Sequence, residues 1–484
     1  MDFNIFSRQA QTTLSIVILI TVSGAIALGK LIAIEEYKYI FIGFILPSLA
    51  LIFRKYWNRK DGIKILIIIS FFPTPIFIST TYVGSTSHYI IIFVFCLVTM
   101  GYLIGLINIY FTKNIVVILM LLFASGAIST IKTFGNHEIF RTSLWSLIVL
   151  MTCICFLLLI DSLYFKSEEE KEKYFIQLIN LIIFLTCVQI LMGAIVYYFP
   201  DVGTYLRIFN PENDKKILIT TITDENIKRL RTIVLTVESL GEFVAVLMPY
   251  VLYRLIAKKI NILYIIYLLV LCAGLVLSAT RSGMVLSLFS ASIYLLFIEK
   301  SLKKKIFLFS AFLLVGLVIF YFDIGVSTTS KRFLEAYYSY ETGGTALEVA
   351  NRSFFKNNLA YLFDTISFFG NGLVSPLKYG TLSVDFHNLF MTILFRYGIV
   401  GFVLYFSLPA ILFKKTYDKY KLSPNKKINK VILLSIIIFF INECKFEYTR
   451  KPYGVLIIWI LFSAYFLLIK NVNTKSLELD SGTT

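Results

Sequence analysis

Residues 174–199 read YFIQLINLIIFLTCVQILMGAIVYYF, without one Asp, Glu, Lys, Arg or His. A stretch this long and apolar spans the roughly 30 Å hydrocarbon core of a bilayer as a helix, which takes about 20 residues. Working outward, runs of the same kind recur at roughly 11–29, 37–53, 63–80, 89–111, 114–131, 143–165, 232–256, 260–279, 282–298, 306–323, 387–413, 429–444 and 453–469, about fourteen helices in all. The whole composition agrees: 58% of the 484 residues are hydrophobic and only 15% are charged. A soluble surface is not built from that balance. A soluble enzyme, a disordered chain and a soluble domain on one anchor are therefore excluded. The sequence predicts an all-α polytopic integral membrane protein.

The net charge of +17 fits the same picture, because Lys and Arg collect in cytoplasmic loops. With the N-terminus inside, the inner segments carry 26 Lys and Arg and the short outer loops carry 8. Both termini are thus expected in the cytoplasm. The first run has an Ala25-Ile26-Ala27 cleavage-like pattern. Only Arg8 precedes it, so it is read as a retained helix and not as a signal peptide. The six cysteines lie in or beside apolar runs with no CxxC pair and no His–Cys cluster, which points to neither a disulfide framework nor a metal site.

Five parts follow along the chain. Residues 1–199 hold the first seven helices, 200–231 an outer loop, and 232–323 helices eight to eleven. A second outer loop covers 324–386, and 387–484 hold the last three helices and a short polar tail. Outer loops of this length are usually functional or contain elements of their own. In the second, 331–340 and 345–369 are helix-compatible and rich in Phe and Tyr, as amphipathic segments lying along the outer interface would be.

Ionisable residues that depart from the loop pattern are the candidates for function, since charge within a membrane helix is costly. Glu238 and Glu242, four apart, share one face of the eighth helix. Glu242 and Arg396 are placed to meet as a buried pair, with structural glue as the favoured role. Arg281 sits in the tight turn Ser278-Ala279-Thr280-Arg281-Ser282-Gly283. Alone it reads as a helix-end anchor that snorkels to the interface. Arg352 read alone is an exposed loop residue, and His387 an ordinary interfacial one. Their convergence changes the balance, because Arg231, Glu238, Arg281, Arg352 and His387 are all predicted on the outer side. Arginines in an outer cavity suit phosphate or pyrophosphate. A histidine or a partly buried carboxylate suits general base work.

These stretches resemble the bacterial O-antigen polymerase and O-antigen ligase superfamily. Arg231 to Pro249 (RTIVLTVESLGEFVAVLMP) resembles the family's arginine, small-residue step and long helix. Thr280-Arg281-Ser282-Gly283 is similar to its Thr/Ser-Arg-Gly turn. Asn351-Arg352 followed by Phe369-Gly370-Asn371-Gly372 resembles its loop arginine and Gly-x-Gly. His387-Asn388-Leu389-Phe390 followed by Gly398 and Gly401 resembles its His-Asn helix. The likeness covers roughly 229–405. One departure is that Arg396-Tyr397 stands where many members have an acidic residue.

The resemblance implies a fold of the C-type (GT-C-like) membrane glycosyltransferases and a metal-independent, inverting transfer with no cofactor, at the periplasmic face of the bacterial inner membrane. It implies that a glycan on undecaprenyl pyrophosphate is moved onto an undecaprenyl-pyrophosphate-linked repeat unit by a polymerase, or onto lipid A–core by a ligase. Arg231, Arg281 and Arg352 would bind the pyrophosphate, with Asn388 beside them in substrate binding. His387 is the first choice for the base and Glu238 the second, while His387 is also able to bind phosphate as a cation. A chain-length regulator is an implied partner. The alternative of a different class is a polysaccharide flippase or other transporter, which commonly shows internal repeats and a midplane site.

Overall fold

The computed structural model describes residues 60–71, 111–199, 230, 232, 237–257, 261–327, 329–331, 334, 358–374, 386, 388–423, 426–445 and 452–470. Within them every regular element is helical, and no strand occurs. The helices are α1 (Lys60–Phe71), α2 (Lys113–Ile131), α3 (His137–Asp161), α4 (Glu168–Tyr198) and α5 (Val237–Leu255). They continue as α6 (Ile262–Ser278), α7 (Arg281–Ile293) with a π turn at Tyr294–Ile298, and α8 (Leu302–Tyr321). The last three are α9 (Leu389–Leu422), α10 (Lys427–Lys445) and α11 (Pro452–Ile469).

Among the described residues six helices are long and apolar enough to cross a membrane: α2, α3, α4, α7 with its π turn, α8 and α9. Two more, α6 and residues 455–469 of α11, are apolar but shorter. The protein is thus an all-α, membrane-embedded chain. The expected helices at 11–29 and 37–53, half of that at 63–80 and all but the last residue of that at 89–111 lie outside the described residues. Helix α3 begins at His137, earlier than the hydropathy boundary, because the Asn136 side chain accepts the Ile139 N–H and caps the helix there. Helix α4 starts at a Ser-Glu-Glu-Glu sequence. The Ser167 hydroxyl accepts the Glu170 N–H at 3.1 Å, and the three acids complement the positive end of the helix.

Helix α5 is the centre of the bundle. Nearly every residue from Ser239 to Ile256 is buried, and the helix packs against α6, α7 and α10. A helix apolar all round is the expected occupant of such a position. Helices α3 and α4 pack on α11, and α2 packs on α9. Helix α8, by contrast, leaves Leu302, Ile306, Phe309, Leu313 and Leu317 exposed, as a lipid-facing helix does.

The lysine-rich end of the bundle is closed by its own cations. The last carbonyls of a helix have no intrahelical donor. At the end of α11, the Lys171 ammonium donates to the carbonyl of Lys470 and the Lys419 ammonium to that of Leu468. The Lys470 side chain in turn reaches back to the Asp161 and Leu163 carbonyls.

Helix α9 is broken at Gly398, whose φ of 71° and ψ of −173° end one helical segment and begin another. Residues 366–374, from the long segment between α8 and α9, dock into the break. Ile399 and Val400 donate their N–H groups to the Ser367 and Phe368 carbonyls, and Asn371 N donates to the Phe395 carbonyl at 2.9 Å. From α2, Ser125 Oγ donates to the Tyr397 carbonyl and Lys132 Nζ to that of Gly370, both at 3.1 Å. Irregular backbone at membrane depth persists only where protein supplies such partners. Ahead of the docked loop, residues 358–365 form a helix. Its Leu362 packs on Phe386, Met391 and Phe395, while Phe363 faces outward. The apolar side of this segment is therefore partly spent on the protein and not wholly on the interface.

Candidate functional site

Two glycines set the geometry around Arg281. Helices α5 and α7 touch through Gly241 and Gly283. A Cβ on Gly283 would lie 2.6 Å from the Gly241 carbonyl carbon and 2.7 Å from its Cα. A Cβ on Gly241 would lie 3.0 Å from the Thr280 Cβ. Small residues at such crossings let helix backbones approach within a membrane. Each glycine lies near the N-terminus of its helix, so the two positive helix ends converge. Gly283→Val is expected to destabilise the bundle by about 3 kcal/mol. The check is the amount of full-length protein recovered from membranes, which falls for this variant.

Arg281 is the first residue of α7 and is half-buried. It is presented by a sharp turn, since α6 ends at Ala279 in the left-handed region with φ 48°. A non-glycine residue there costs about 1–3 kcal/mol, a strain that clusters at functional sites. Ser278 and Thr280 hold the turn through a hydroxyl–hydroxyl bond of 3.0 Å, and both are buried. Thr280 makes no side-chain cap to α7.

The same turn holds a third stretch of chain. Leu230 donates its N–H to the Leu277 carbonyl at 2.9 Å, and Leu230 and Thr232 are fully buried. Arg231 comes between them in the chain and lies outside the described residues. Glu238 is the second residue of α5, placed one helical turn before Gly241; its side chain also lies outside the described residues. One turn further on, Glu242 is 1% exposed. Leu230, Gly241 and the turn at 277–283, remote in sequence, therefore meet at one end of α5.

Asn388 is the N-cap of α9, and its side-chain oxygen accepts the Met391 N–H at 3.1 Å. That bond uses one of the two lone pairs of the side-chain oxygen and none of the amide N–H donors. Arg352 and His387 lie outside the described residues. Arg396 directs its Nε to the Val374 carbonyl at 3.3 Å, and among the ion pairs of the described residues none joins it to Glu242.

Two buried polar residues escaped the sequence reasoning. Asn442 and Glu443, 2% and 0% exposed, lie near the end of α10, which packs against α5, α7 and α9. Helix α10 thereby packs on both helices of the Gly241–Gly283 crossing and on the helix that follows His387. The signal was present in the sequence, as an amide and a carboxylate closing an apolar run, but that boundary was read as the start of an outer loop.

Compared with models of known protein families and with curated proteins, the chain matches none.

Proposed function

We propose that this protein is a membrane glycosyltransferase that polymerises an O-antigen or similar surface polysaccharide from an undecaprenyl-pyrophosphate-linked donor at the outer face of the bacterial inner membrane. The observation that supports it best is the crossing of α5 and α7. There Gly241 of α5, one turn after Glu238, meets Thr280 and Gly283 beside Arg281, and the same turn accepts the Leu230 N–H. Two helix N-termini and a half-buried guanidinium make a surface suited to a doubly charged leaving group.

In this reaction a hydroxyl oxygen of the acceptor sugar attacks the anomeric carbon of the donor glycan from the face opposite the pyrophosphate. The carbon–oxygen bond to the pyrophosphate breaks, and its electron pair leaves with the undecaprenyl pyrophosphate. Arg281, with Arg231 and Arg352, stabilises the charge that develops on the leaving group. His387, or Glu238 in its place, takes the proton of the attacking hydroxyl. A chain-length regulator is a proposed partner.

Deleting the gene in its native strain, with lipopolysaccharide resolved on a gel beside a blot of undecaprenyl-linked glycan, tests the proposal. Core bearing a single repeat with the ladder gone is the expected result. Bare core with long polymer retained on undecaprenyl identifies a ligase. Bare core without polymer assigns the chain to translocation and removes the outer-face chemistry.

A further inference from the structure

The lysine-rich end of the bundle holds a cluster of amines that the proposed chemistry does not use. Lys171 from the first turn of α4, Lys419 from the last turn of α9 and Lys470 just past α11 gather around the closing carbonyls of α11. Lys426, just ahead of α10, lies within electrostatic range of Lys419.

The charges of this cluster do not balance. Lys171, which is buried, has Glu168 as its counter-ion, with the carboxylate accepting its Nζ at 2.7 Å. Lys470 Nζ lies 3.8 Å from the Asp161 carboxylate, and Lys426 Nζ 3.5 Å from that of Glu172. Lys419 is the exception. Among the described residues no ion pair joins it to a carboxylate, and the acceptor of its Nζ is the Leu468 carbonyl at 2.9 Å. Glu168 is within electrostatic range of Lys419 as well, but that carboxylate is bonded to Lys171.

Lys419 instead meets a second lysine, its amine lying at hydrogen-bonding range of the Lys171 amine. Two ammonium groups have only donors to present to each other. The contact becomes a hydrogen bond only when one of them has given up its proton. A donor count shows which one. Lys171 spends one N–H on Glu168 and one on the Lys470 carbonyl, which leaves a third for a lone pair on Lys419. A neutral Lys419 still keeps the N–H that Leu468 accepts. Desolvation and a neighbouring cation are the conditions that turn a lysine into a nucleophile. Lys419, half-buried against Lys171, meets both.

We propose that Lys419 is a reactive, unprotonated lysine and that carbon dioxide modifies it reversibly. The nitrogen lone pair attacks the carbon of CO2 and forms a C–N bond. One C=O electron pair moves onto oxygen, and one N–H proton passes to water. The product is a carbamate, which is an anion. The charge count selects this electrophile. Acyl transfer would leave a neutral amide, whereas a carbamate supplies the counter-ion that this position lacks, with the Lys171 ammonium beside it and Lys426 in range. Once formed, it ties the end of α9 to the start of α4. The inference does not depend on the glycosyltransferase proposal.

The test uses full-length protein purified in a neutral detergent and equilibrated with isotope-labelled bicarbonate at neutral pH. A trialkyloxonium reagent converts any carbamate into a stable ester, which mass spectrometry of the peptides then locates. The ester is expected on Lys419 well above its level on the exposed Lys300 and Lys303. Lys171→Gln removes the neighbouring charge and is expected to lower the Lys419 ester about tenfold. Bicarbonate, compared with chloride, is expected to raise the thermal midpoint of the wild type and not that of Lys419→Arg, whose guanidinium stays protonated. An ester on Lys419 no more abundant than on Lys300 and Lys303, or a wild-type midpoint that bicarbonate leaves unchanged, overturns the proposal. So does a folded Lys171→Gln protein labelled as fully as the wild type. The first two readouts come from the wild type and stand whether or not Lys171→Gln folds.

Discussion

Arg281→Ala is expected to lower polymer formation by about two to three orders of magnitude, with the amount of protein in the membrane unchanged. The two halves of that expectation have separate physical origins. The side chain is half-buried at the first position of α7, and the helices beneath it are held by the Gly241–Gly283 contact and the Ser278–Thr280 turn. Its removal therefore leaves the packing in place. In the proposed reaction the leaving pyrophosphate would lose a cation that interacts most strongly as charge develops in the transition state, so the loss would fall on rate. Arg281→Lys keeps the charge without the planar fork and is expected to fall between the two. The measurement is the length distribution of surface polysaccharide in a deletion strain that carries each variant, with membrane abundance determined alongside. Wild-type ladders from Arg281→Ala would remove the pyrophosphate role.

Gly398→Ala is expected to have an effect of the opposite kind, destabilising the fold by about 4 kcal/mol or more. A Cβ there would lie 2.3 Å from the Gly370 N and 2.5 Å from the Phe368 carbonyl oxygen. The backbone has φ 71°, which an alanine adopts only under strain. Gly370 faces the same junction with φ 82°, its absent Cβ 2.1 Å from the Arg396 carbonyl oxygen. Either substitution drives the docked loop out of the helix break and strands the backbone groups that Asn371, Ile399 and Val400 now pair. Gly316→Ala on α8 is the control, since a Cβ there meets nothing within 4 Å. It is expected to leave stability unchanged or slightly raised. Thermal melts of the three purified proteins decide the matter, and a Gly398→Ala midpoint equal to the wild type would refute the tight junction.

How far the candidate site was legible depended on the kind of signal each residue leaves. Arg281 stands out from sequence because a guanidinium between two apolar runs has few explanations. Asn388 caps α9 with one lone pair of its side-chain oxygen, which leaves its amide N–H groups for other partners, and that capping duty is visible only in the coordinates. The pairing of Glu242 with Arg396 was argued from similar depths in two helices. Depth says nothing of azimuth, and Arg396 faces the Val374 carbonyl. Glu443 was passed over because its run ended beside it, although the helix continues to Lys445 and buries it.

By itself, the sequence determined that this is an all-α membrane-embedded chain and where most of the described helices lie. Apolar run length and loop charge act locally, residue by residue, against a solvent of known thickness. Tertiary structure alone decided that Gly241 meets Gly283, that residues 366–374 fill the break at Gly398, and that lysines, glutamates and tyrosines come together in an open pocket at the other end of α5. Those outcomes depend on which helix faces stand opposite one another. Helices that are apolar on every side carry no periodic mark of their partners, so close packing among them, and not pattern, makes the choice.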